Sequence, residues 1–426
     1  MRKLLYILAL LILILTYHTA HSQNPQWIVY TTQNSGLPDN DISALTYENN
    51  GTMWIGTWSG GLVKFDGTNW VVYDTSNSGL PHNLVKAIAI DNNGVKWIGT
   101  WGGGLAKFDG NFWTIYNKNN SQIINDNISS IEIDQNGNKW IGSADGLSKY
   151  DGISWINYDT TNSGLPNNLI TCVALEEHIK WIGTNSYGIA KYNDTTWQVY
   201  NNSNSGLPAN TIRFISLDRL NNKWIATQFG ALAKYNSNTN VWTVYNDSNS
   251  GLLEYHLHCV SIDKNNKKLV GTFSTGLVIY NDSIWITYNT SNSPIPNNSV
   301  YRIAIDSNNN KWIGTPNGLA IFNESGIISV KNNNNTIPKD IELYQNFPNP
   351  FNSQTTIEFD IKKKGNYSLV IYDCLGRKRN EIFNQYLNAG SYSVSFNGDE
   401  LQSGVYFYRL SADGNVVETR KMVLVK

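Results

Sequence analysis

Histidine, the residue most often used for acid–base and metal chemistry, is scarce in this sequence. Beyond the first 22 residues it occurs only at His82, His178, His256 and His258. Glu254 lies two residues before His256, and residues two apart on a strand share a face, so this stretch suggests a metal pair. A metal site also needs a complete ligand set and supporting hydrogen bonds. We therefore favour the interpretation that these are polar residues at the start of a strand and not metal ligands. We predict no metal, no cofactor and no catalytic residue.

A second group of residues is better suited to binding. One recurring position is always polar but varies in kind, and it holds Ser43, Lys86, Ser129, Thr171, Arg213, His258 and Tyr301. A recurring loop is mostly aromatic and holds Trp58, Trp101, Asp145, Tyr187, Phe229 and Phe273. Flat aromatic faces suit sugar rings, and polar groups fix their orientation. We predict a ligand site that contains Trp58, Trp101, Tyr187, Phe229, Phe273, Lys86, Arg213, His258 and Tyr301. The alternative is that the aromatic side chains only shield the structure beneath them.

An internal repeat places these side chains at regular intervals. A motif resembling W-I-G-T begins at Trp54, Trp97, Trp140, Trp181, Trp224 and Trp312, with Leu269 in the remaining slot. The spacings are 43, 43, 41, 43, 45 and 43 residues. Four short strands with their turns fill such a period, which is typical of a propeller blade. The sequence therefore predicts an all-β protein, a seven-bladed β-propeller followed by a small Ig-like β-sandwich.

The segment NSGLP recurs between the repeats, for example at residues 34–38, 77–81, 162–166 and 204–208. We interpret it as the crossing from the outer strand of one blade to the inner strand of the next. We expect its glycine to adopt a backbone conformation that other residues resist, its proline to fix φ, and its leucine to pack beneath the loop.

Two further predictions concern the scaffold. The strand at Trp27 precedes the first complete repeat, so we expect it to pair with Gly318–Phe322 and to close the ring, because closure removes exposed sheet edges. Each inner strand ends in an acidic residue, such as Asp91, followed by a turn. A calcium loop needs several more oxygen ligands in order. We therefore predict that each carboxylate accepts hydrogen bonds from its own turn.

The repeat resembles a known family. The pattern D-x-x-G-x-x-W-I-G-T-x-x-G-G-L-x-K-F, found at residues 91–108, resembles the two-component-regulator propeller repeat, and the resemblance extends over about residues 24–335. In its best-known setting that family forms the periplasmic sensor part of hybrid kinases that respond to polysaccharide fragments. No kinase segment follows the repeats in this sequence, so the resemblance implies a propeller and only weakly a ligand.

The last part of the sequence resembles a second family. The segments LYQNFPNPFN (residues 343–352), VIYDCLG (370–376), SGVYFYRL (403–410) and KMVLVK (421–426) resemble a type IX secretion system C-terminal sorting domain. The resemblance covers about residues 341–426 and implies a small β-sandwich that is recognised by the type IX secretion machinery. It also implies export across the outer membrane of a Bacteroidetes-like bacterium, to the cell surface or the extracellular space, with removal of the tail.

The predicted organisation is a signal peptide at residues 1–22, the propeller at 23–330, a linker at 331–340 and the sorting domain at 341–426. Arg2 and Lys3 precede a short apolar run, as in a signal peptide, and an uncleaved anchor is the alternative. The formal net charge is −1 and 15% of residues are charged, so there is no basic stripe to bind nucleic acid. We expect no transmembrane span.

These features predict an exported, surface-displayed or released binding module that recognises glycans or another surface protein and is not an enzyme. Two alternatives remain. One is a propeller lyase that acts through a channel histidine and a metal ion, with His256 and His258 as candidates. The other is a scaffold without a small ligand.

Overall fold

The computed structural model describes residues 27–324, 329–330, 340–352, 354–387, 389–398 and 401–426. The predicted signal peptide lies outside these residues, as does all of the predicted linker except Asp340, so both remain predictions. The regular elements of the described residues are all β-strands. Nothing in the described part of the chain forms a helix long and apolar enough to cross a membrane.

Seven four-stranded antiparallel sheets follow one another in the propeller. Strand β1 (Trp27–Tyr30) comes first in the chain and belongs to the last blade. Blades one and two contain β2 (Ile42–Tyr47), β3 (Met53–Thr57), β4 (Leu62–Phe65), β5 (Trp70–Tyr73), β6 (Val85–Ile90), β7 (Lys96–Thr100), β8 (Leu105–Phe108) and β9 (Trp113–Tyr116). Blades three and four contain β10 (Ile128–Ile133), β11 (Lys139–Ser143), β12 (Leu147–Tyr150), β13 (Trp155–Tyr158), β14 (Ile170–Glu176), β15 (Ile179–Thr184), β16 (Ile189–Tyr192) and β17 (Trp197–Tyr200).

Blades five to seven complete the ring. They contain β18 (Ile212–Leu217), β19 (Lys223–Thr227), β20 (Leu232–Asn236), β21 (Val241–Tyr245), β22 (Leu257–Ile262), β23 (Lys268–Thr272), β24 (Leu277–Tyr280), β25 (Trp285–Tyr288), β26 (Arg302–Ile305), β27 (Lys311–Thr315) and β28 (Gly318–Phe322). The first strand of each blade is its inner strand. Each inner strand contacts that of the next blade, and β26 contacts β2, so the ring is closed.

Strand β1 supplies the outer strand of blade seven, and the predicted closure is confirmed. Trp27 lies opposite Phe322 and Tyr30 lies opposite Leu319 in an antiparallel ladder. The Trp27 ring also stacks on the Phe322 ring, with centroids 4.4 Å apart. Pairing the first strand of the chain with the last blade covers the edge of β28 and gives blade seven four strands like the other blades, which protects that edge from association.

The second strands form the core of the blades. Every residue of β7 is buried, and the same holds for its counterpart in each blade, except that Ile179 at the start of β15 is half-buried. The carboxylate at the end of the inner strand accepts hydrogen bonds as predicted. Asp91 Oδ1 accepts from the backbone N–H groups of Asn93 (2.9 Å) and Val95 (3.0 Å), and Oδ2 accepts from Trp97 Nε1 (3.2 Å). Each motif tryptophan is thereby tied to its own turn.

In six of the seven blades a buried lysine near the start of the second strand links neighbouring blades, which was not predicted from the sequence; blade one has Met53 at this position. Lys96 Nζ lies 3.2 Å from Glu48 Oε1 of the preceding blade and 5.0 Å from the ring centroid of Trp54. Lys223 repeats this arrangement with Glu176, at 2.5 Å. A buried ammonium is tolerated because a carboxylate and an aromatic face partner it.

The crossing loops run from outer to inner strand as predicted, and their leucines are buried, among them Leu37 and Leu80. The expected role of their glycines was wrong. Gly79 does not have a positive φ. A Cβ atom at Gly79 would lie 2.4 Å from Trp113 Cβ, so the loop needs glycine for close contact with the outer tryptophan of the next blade.

The C-terminal unit is a β-sandwich of two four-stranded sheets. Its strands are β29 (Ser329–Val330), β30 (Glu342–Leu343), β31 (Gln354–Ile361), β32 (Gly365–Asp373), β33 (Lys378–Leu387), β34 (Gly390–Asn397), β35 (Gly404–Ala412) and β36 (Asn415–Leu424). The sheet orders are β29-β34-β31-β30 and β33-β32-β35-β36. Both sheets contribute to one core, which includes Phe359, Leu369, Tyr392 and Tyr408.

The propeller unit spans Trp27–Asn323. Ser329–Val330, which the predicted boundary at residue 330 assigns to the propeller, pairs instead with β34 of the sandwich. In the sequence, Ile327 stands where the outer strands of other blades have tryptophan, and it lies outside the described residues.

Candidate functional site

The crossing loops and the loops between second and third strands lie at the same end of the propeller, which we call the loop face. The backbone N–H of Trp58, just after β3, donates to the carbonyl of Asp41, just before β2 (3.0 Å). The same bond joins Phe273 to His256 (3.0 Å). Gly61 also donates to the carbonyl of Asn83 in the next crossing loop (3.1 Å). These bonds bring the variable aromatic and polar positions to one face.

The recurring polar position is the extra residue of a β-bulge. In blades one to six the pairing of the inner strand shifts by one residue there, so that Lys86 and Arg213 have no opposite partner in the ladder. A bulge re-aims a side chain without interrupting the rest of the sheet. The bulge therefore directs these polar side chains away from the repeating pattern of the blades. They lie at the loop face, around the opening that we call the mouth of the propeller.

Two of the residues at the recurring polar position have a structural role. Ser43 Oγ donates to the carbonyl of Val85 in the next blade (2.5 Å), and Ser129 Oγ donates to that of Ile170 (2.6 Å). A short hydroxyl reaches the carbonyl of the neighbouring inner strand, but Lys86 and Arg213 extend beyond it. The bulge position therefore serves blade–blade contact where it holds serine, whereas Lys86 and Arg213 present longer side chains at the mouth.

Lys86 and Trp58 form one of the clusters at the mouth. Lys86 Nζ lies 4.2 Å from the centroid of the Trp58 ring, which is 50% exposed. Burial, together with repulsion from the nearby Arg302 and Arg213, lowers the pKa of Lys86 to about 8, while Asp41 acts in the opposite direction. An exposed indole beside an ammonium offers a flat apolar face and a hydrogen-bond donor to a ligand.

Aromatic and imidazole rings from blades five to seven form the second cluster, which we call the imidazole cluster. The His256 ring stacks on Phe273 (centroids 4.6 Å apart, interplanar angle 7°) and lies 4.9 Å from Phe229. The His258 ring meets Tyr301 edge-on at 5.0 Å. Four of the predicted site residues therefore come together, with His256 added by the structure: Phe229, Phe273, His258 and Tyr301.

The backbone of the loop beside this cluster is strained. Phe229 has φ of 66° and Ala231 has φ of 97°, although both carry a Cβ atom. The corresponding positions to Ala231 in other blades include Gly61 and Gly104, which adopt this region without cost. Strained φ values persist where the surroundings impose them and are frequent at functional sites. Blade five thus departs from the repeat at the point where Phe229 reaches the imidazole cluster.

Cationic groups from three blades face the same region. Arg213 lies at the bulge of β18, and its buried Nε has no hydrogen-bond partner among the described residues. Arg302 begins β26, and its Nη1 donates to the carbonyl of Tyr301 (2.8 Å). Burial lowers the pKa of both guanidinium groups, and Arg302 adds repulsion on Arg213. The sequence analysis missed Arg302, although other blades hold Ala44, Ala87 or Ser130 at this position.

The histidines at the mouth are neutral. Burial, together with His256, Arg213 and Arg302, lowers the pKa of His258 to about 3. Burial and Arg213 also lower the pKa of His256. His258 Nε2 lies 3.2 Å from Ser299 Oγ, whereas the buried Nε2 of His256 has no partner among the described residues.

The residues around the two histidines do not fit a metal ion. Glu254, the acidic residue beside them in the sequence, accepts hydrogen bonds at Oε1 from the N–H groups of Tyr255 and His256 (3.2 and 3.0 Å) and at Oε2 from Ser274 Oγ (2.5 Å). Its carboxylate therefore holds the loop. In the described part of the chain, no cluster of three histidine, cysteine or acidic residues has metal-binding geometry.

Two predicted site residues stand apart from both clusters. Trp101 is 37% exposed and Tyr187 is 56% exposed on the loop face. Neither ring contacts another aromatic ring in the residues that the structure describes. The backbone of Trp101 forms a bridge with Asn127, which accounts for its position without a ligand. These two residues serve as internal comparisons for the clustered ones.

A cleft of about 410 Å³ lies at the opposite face, among the hairpin turns of blades three and four. Two of its carboxylates have partners: Asp134 accepts from Trp140 and Asn138, and Asp194 pairs with Lys180. The lining therefore includes turn residues that maintain the blades, and the site is better sought at the mouth.

Two family models match parts of the chain. The model for the two component regulator propeller matches residues 36–59, and the model for the secretion system C-terminal sorting domain matches residues 345–426. No curated protein shows significant sequence similarity to the chain.

Solved structures share the propeller. The extracellular domain of BT3049 from B. thetaiotaomicron, described as a hybrid two component system, has a TM-score of 0.63 and 23% identity, over 94% of this chain and 57% of that one. PorZ of Porphyromonas gingivalis, a surface component of the type IX secretion system, has a TM-score of 0.59 and 19% identity, over 92% and 60%. A virginiamycin B lyase from Staphylococcus aureus has a TM-score of 0.56 and 12% identity, over 69% and 98%.

These likenesses show the fold, and the present chain spans less than two thirds of the first two proteins. The chain is a seven-bladed β-propeller with a repeat of the two component regulator propeller type and a secretion system C-terminal sorting domain, which directs it through the type IX secretion system to the cell surface or the extracellular space.

Proposed function

We propose that this exported propeller is a binding module that recognises a glycan at the mouth on its loop face. The observation that supports this proposal is the convergence of exposed aromatic rings with polar groups that lack protein partners. Trp58 lies beside Lys86 on one side, and Phe273 lies beside His256 on the other. Sugar rings are bound by stacking on aromatic faces with hydrogen bonds at their edges.

The chemistry of the mouth favours binding over catalysis. His258 has a pKa of about 3, so its imidazole is neutral at physiological pH and is not a proton donor there. The metal-assisted lyase reaction, which is the alternative, would need a third ligand, and the Glu254 carboxylate is engaged by its own loop. The arrangement therefore supplies contacts to hold a ligand and no complete catalytic set.

The test is a glycan array probed with the purified full-length protein and four variants. Trp58→Ala and Phe273→Ala each remove one proposed stacking surface. Trp101→Ala removes an unclustered aromatic residue on the same face, and Phe112→Ala removes one that is 75% exposed in a hairpin turn of the opposite face. Loss of an anchoring aromatic residue costs about 1–3 kcal/mol of binding free energy.

We expect the wild-type protein to bind one class of glycan. Trp58→Ala and Phe273→Ala should weaken that binding, and the two control variants should not. Equal binding by all five proteins would place the site elsewhere. If no glycan is bound but a surface protein is captured, and this capture depends on Trp58 and Phe273, the ligand is a protein and not a glycan. Cleavage of a bound glycan, sensitive to chelation, would support the lyase instead.

A further inference from the structure

Three cationic side chains converge on the mouth from separate blades. Lys86 comes from blade two, Arg213 from blade five and Arg302 from blade seven, all on inner strands. The Arg302 guanidinium lies 5.8 Å from the ring centroid of Phe214, the residue after Arg213, so it reaches from blade seven to blade five. Repulsion by Arg302 and Arg213 also disfavours the charged form of Lys86. Strands of one ring that are not neighbours meet only around its centre, so the three side chains face a common space.

These cations are not neutralised by the protein. None of the three forms an ion pair within the described residues, although five of the six buried lysines of the second strands do, as Lys223 does with Glu176. Within the described residues, Arg302 has a backbone carbonyl and the face of the Phe214 ring as partners, and Arg213 Nε is buried without an acceptor. Burying a charge without a counter-charge costs folding free energy. Such groups are retained where a ligand supplies the missing charge.

The carboxylates nearest to the mouth do not fill this role. Burial and the neighbouring Asp39 raise the pKa of Asp41, whose buried Oδ1 has no hydrogen-bond partner among the described residues. Burial raises the pKa of Glu132, on inner strand β10, to about 7. Neither carboxylate pairs with a cation of the mouth, which therefore keeps an excess of positive charge.

We propose that the mouth binds the acidic group of an anionic saccharide, with Arg213, Arg302 and Lys86 as the groups that receive its carboxylate or sulfate. This inference rests on the proposed function. Guanidinium groups hold oxyanions through charge-assisted hydrogen bonds, and a lysine adds a mobile point charge. Trp58 and Phe273 flank the cations and provide faces for the sugar rings that carry the acid.

The experiment compares matched pairs of oligosaccharides by calorimetric titration of the full-length protein. The probes are a tetragalacturonate and its carboxyl-reduced neutral form, and a sulfated chondroitin tetrasaccharide and its desulfated, carboxyl-reduced form. A hexapeptide of glutamate supplies negative charge without sugar. The protein variants are Arg213→Gln and Arg302→Gln, with Arg213→Lys as the conservative replacement. Lys118→Gln is the control, because it removes one exposed cation from a crossing loop of the same face.

We expect at least one acidic saccharide to bind about tenfold or more tightly than its neutral partner, and less tightly as salt is raised. Arg213→Gln and Arg302→Gln should weaken that binding roughly ten- to hundredfold, without changing the affinity for the neutral form. Arg213→Lys should retain part of the preference, and Lys118→Gln all of it. The tetragalacturonate and chondroitin arms distinguish a carboxylate from a sulfate.

Three results would overturn the inference. If acidic and neutral saccharides bind equally and the binding still depends on Trp58, the inference of an anionic ligand is refuted. The proposed glycan binding is then unaffected. A preference for acidic probes that survives both glutamine variants would place the anion elsewhere. Tighter binding of hexaglutamate than of any saccharide would exclude the sugar. Unfolding followed by tryptophan fluorescence shows whether each variant is folded, and Arg213→Lys retains the test if a glutamine variant is not.

Discussion

Replacing Lys86 by methionine should stabilise the propeller, which distinguishes a binding residue from a structural one. Burial and neighbouring guanidinium groups lower the pKa of Lys86 from 10.5 to about 8. A shift of that size corresponds to about 3 kcal/mol of unfavourable free energy in the charged form. Methionine keeps most of the apolar stem but loses the cation–π contact with Trp58, worth roughly 1 kcal/mol. The expected net gain in the free energy of unfolding is about 1–2 kcal/mol at pH 7.

The gain should depend on pH in a defined window. Because the folded-state pKa of Lys86 lies below its unfolded value, both states carry the charge below pH 8, and the folded state bears its full cost there. Between about pH 8 and 10.5 the folded state loses the proton first, so the cost falls as the pH rises. The advantage of Lys86→Met should therefore be constant below pH 8 and vanish by about pH 10.5.

Tryptophan fluorescence makes the measurement specific for the propeller, because all 15 tryptophans lie between Trp27 and Trp312. Urea unfolding of the full-length protein at pH 7, 8, 9 and 10 would give the difference between wild type and variant, and Lys118→Met controls for loss of an exposed charge. A variant that is less stable at pH 7, or an advantage that does not change between pH 7 and 10, would show that Lys86 is not held at a cost for a ligand.

Other predictions concern the scaffold and its delivery. Gly79→Ala should destabilise the propeller by about 1–3 kcal/mol in urea unfolding, because its Cβ would lie 2.4 Å from Trp113 Cβ; an unchanged free energy of unfolding would refute the close-contact role. Trp27→Ala should lower the melting temperature, since the closing strand loses its stacking contact; an unchanged melting temperature would count against closure by β1. Deleting residues 341–426 should abolish surface delivery in fractionated cells while the tryptophan-monitored unfolding stays cooperative; loss of that transition would mean that the two units share a core.

Much of the scaffold could be predicted because each repeat contains the residues that determine its own strands and turns. The spacing of Trp54 and Trp97 fixes the blade length, and the placement of Asp91 before its turn fixes the carboxylate that holds Trp97. Ring closure followed from the surplus strand at Trp27. The role of Gly79 was misjudged because its cause is a tryptophan in another blade, and the composition of a loop does not show which side chain lies against it.

The site was less predictable because it depends on whether a side chain is long enough to contact a neighbouring blade. Ser43 and Lys86 occupy equivalent bulges, but only the serine is short enough to bind the neighbouring carbonyl. The separation of Trp101 from the clusters and the stacking of His256 on Phe273 are likewise set by packing across blades. Arg302 carried a signal that could have been used, since it replaces the small residues Ala44 and Ala87 at the same place in other blades.

A crystal structure of the protein with the saccharide that binds it most tightly would test the central claim most directly. The account predicts electron density for the ligand at the mouth on the loop face, with a sugar ring against Trp58 or Phe273 and its acidic group within hydrogen-bonding distance of Arg213 or Arg302. Density for the ligand among the hairpin turns of the opposite face, or on the outer strands, with the three cations of the mouth not contacted, would contradict it.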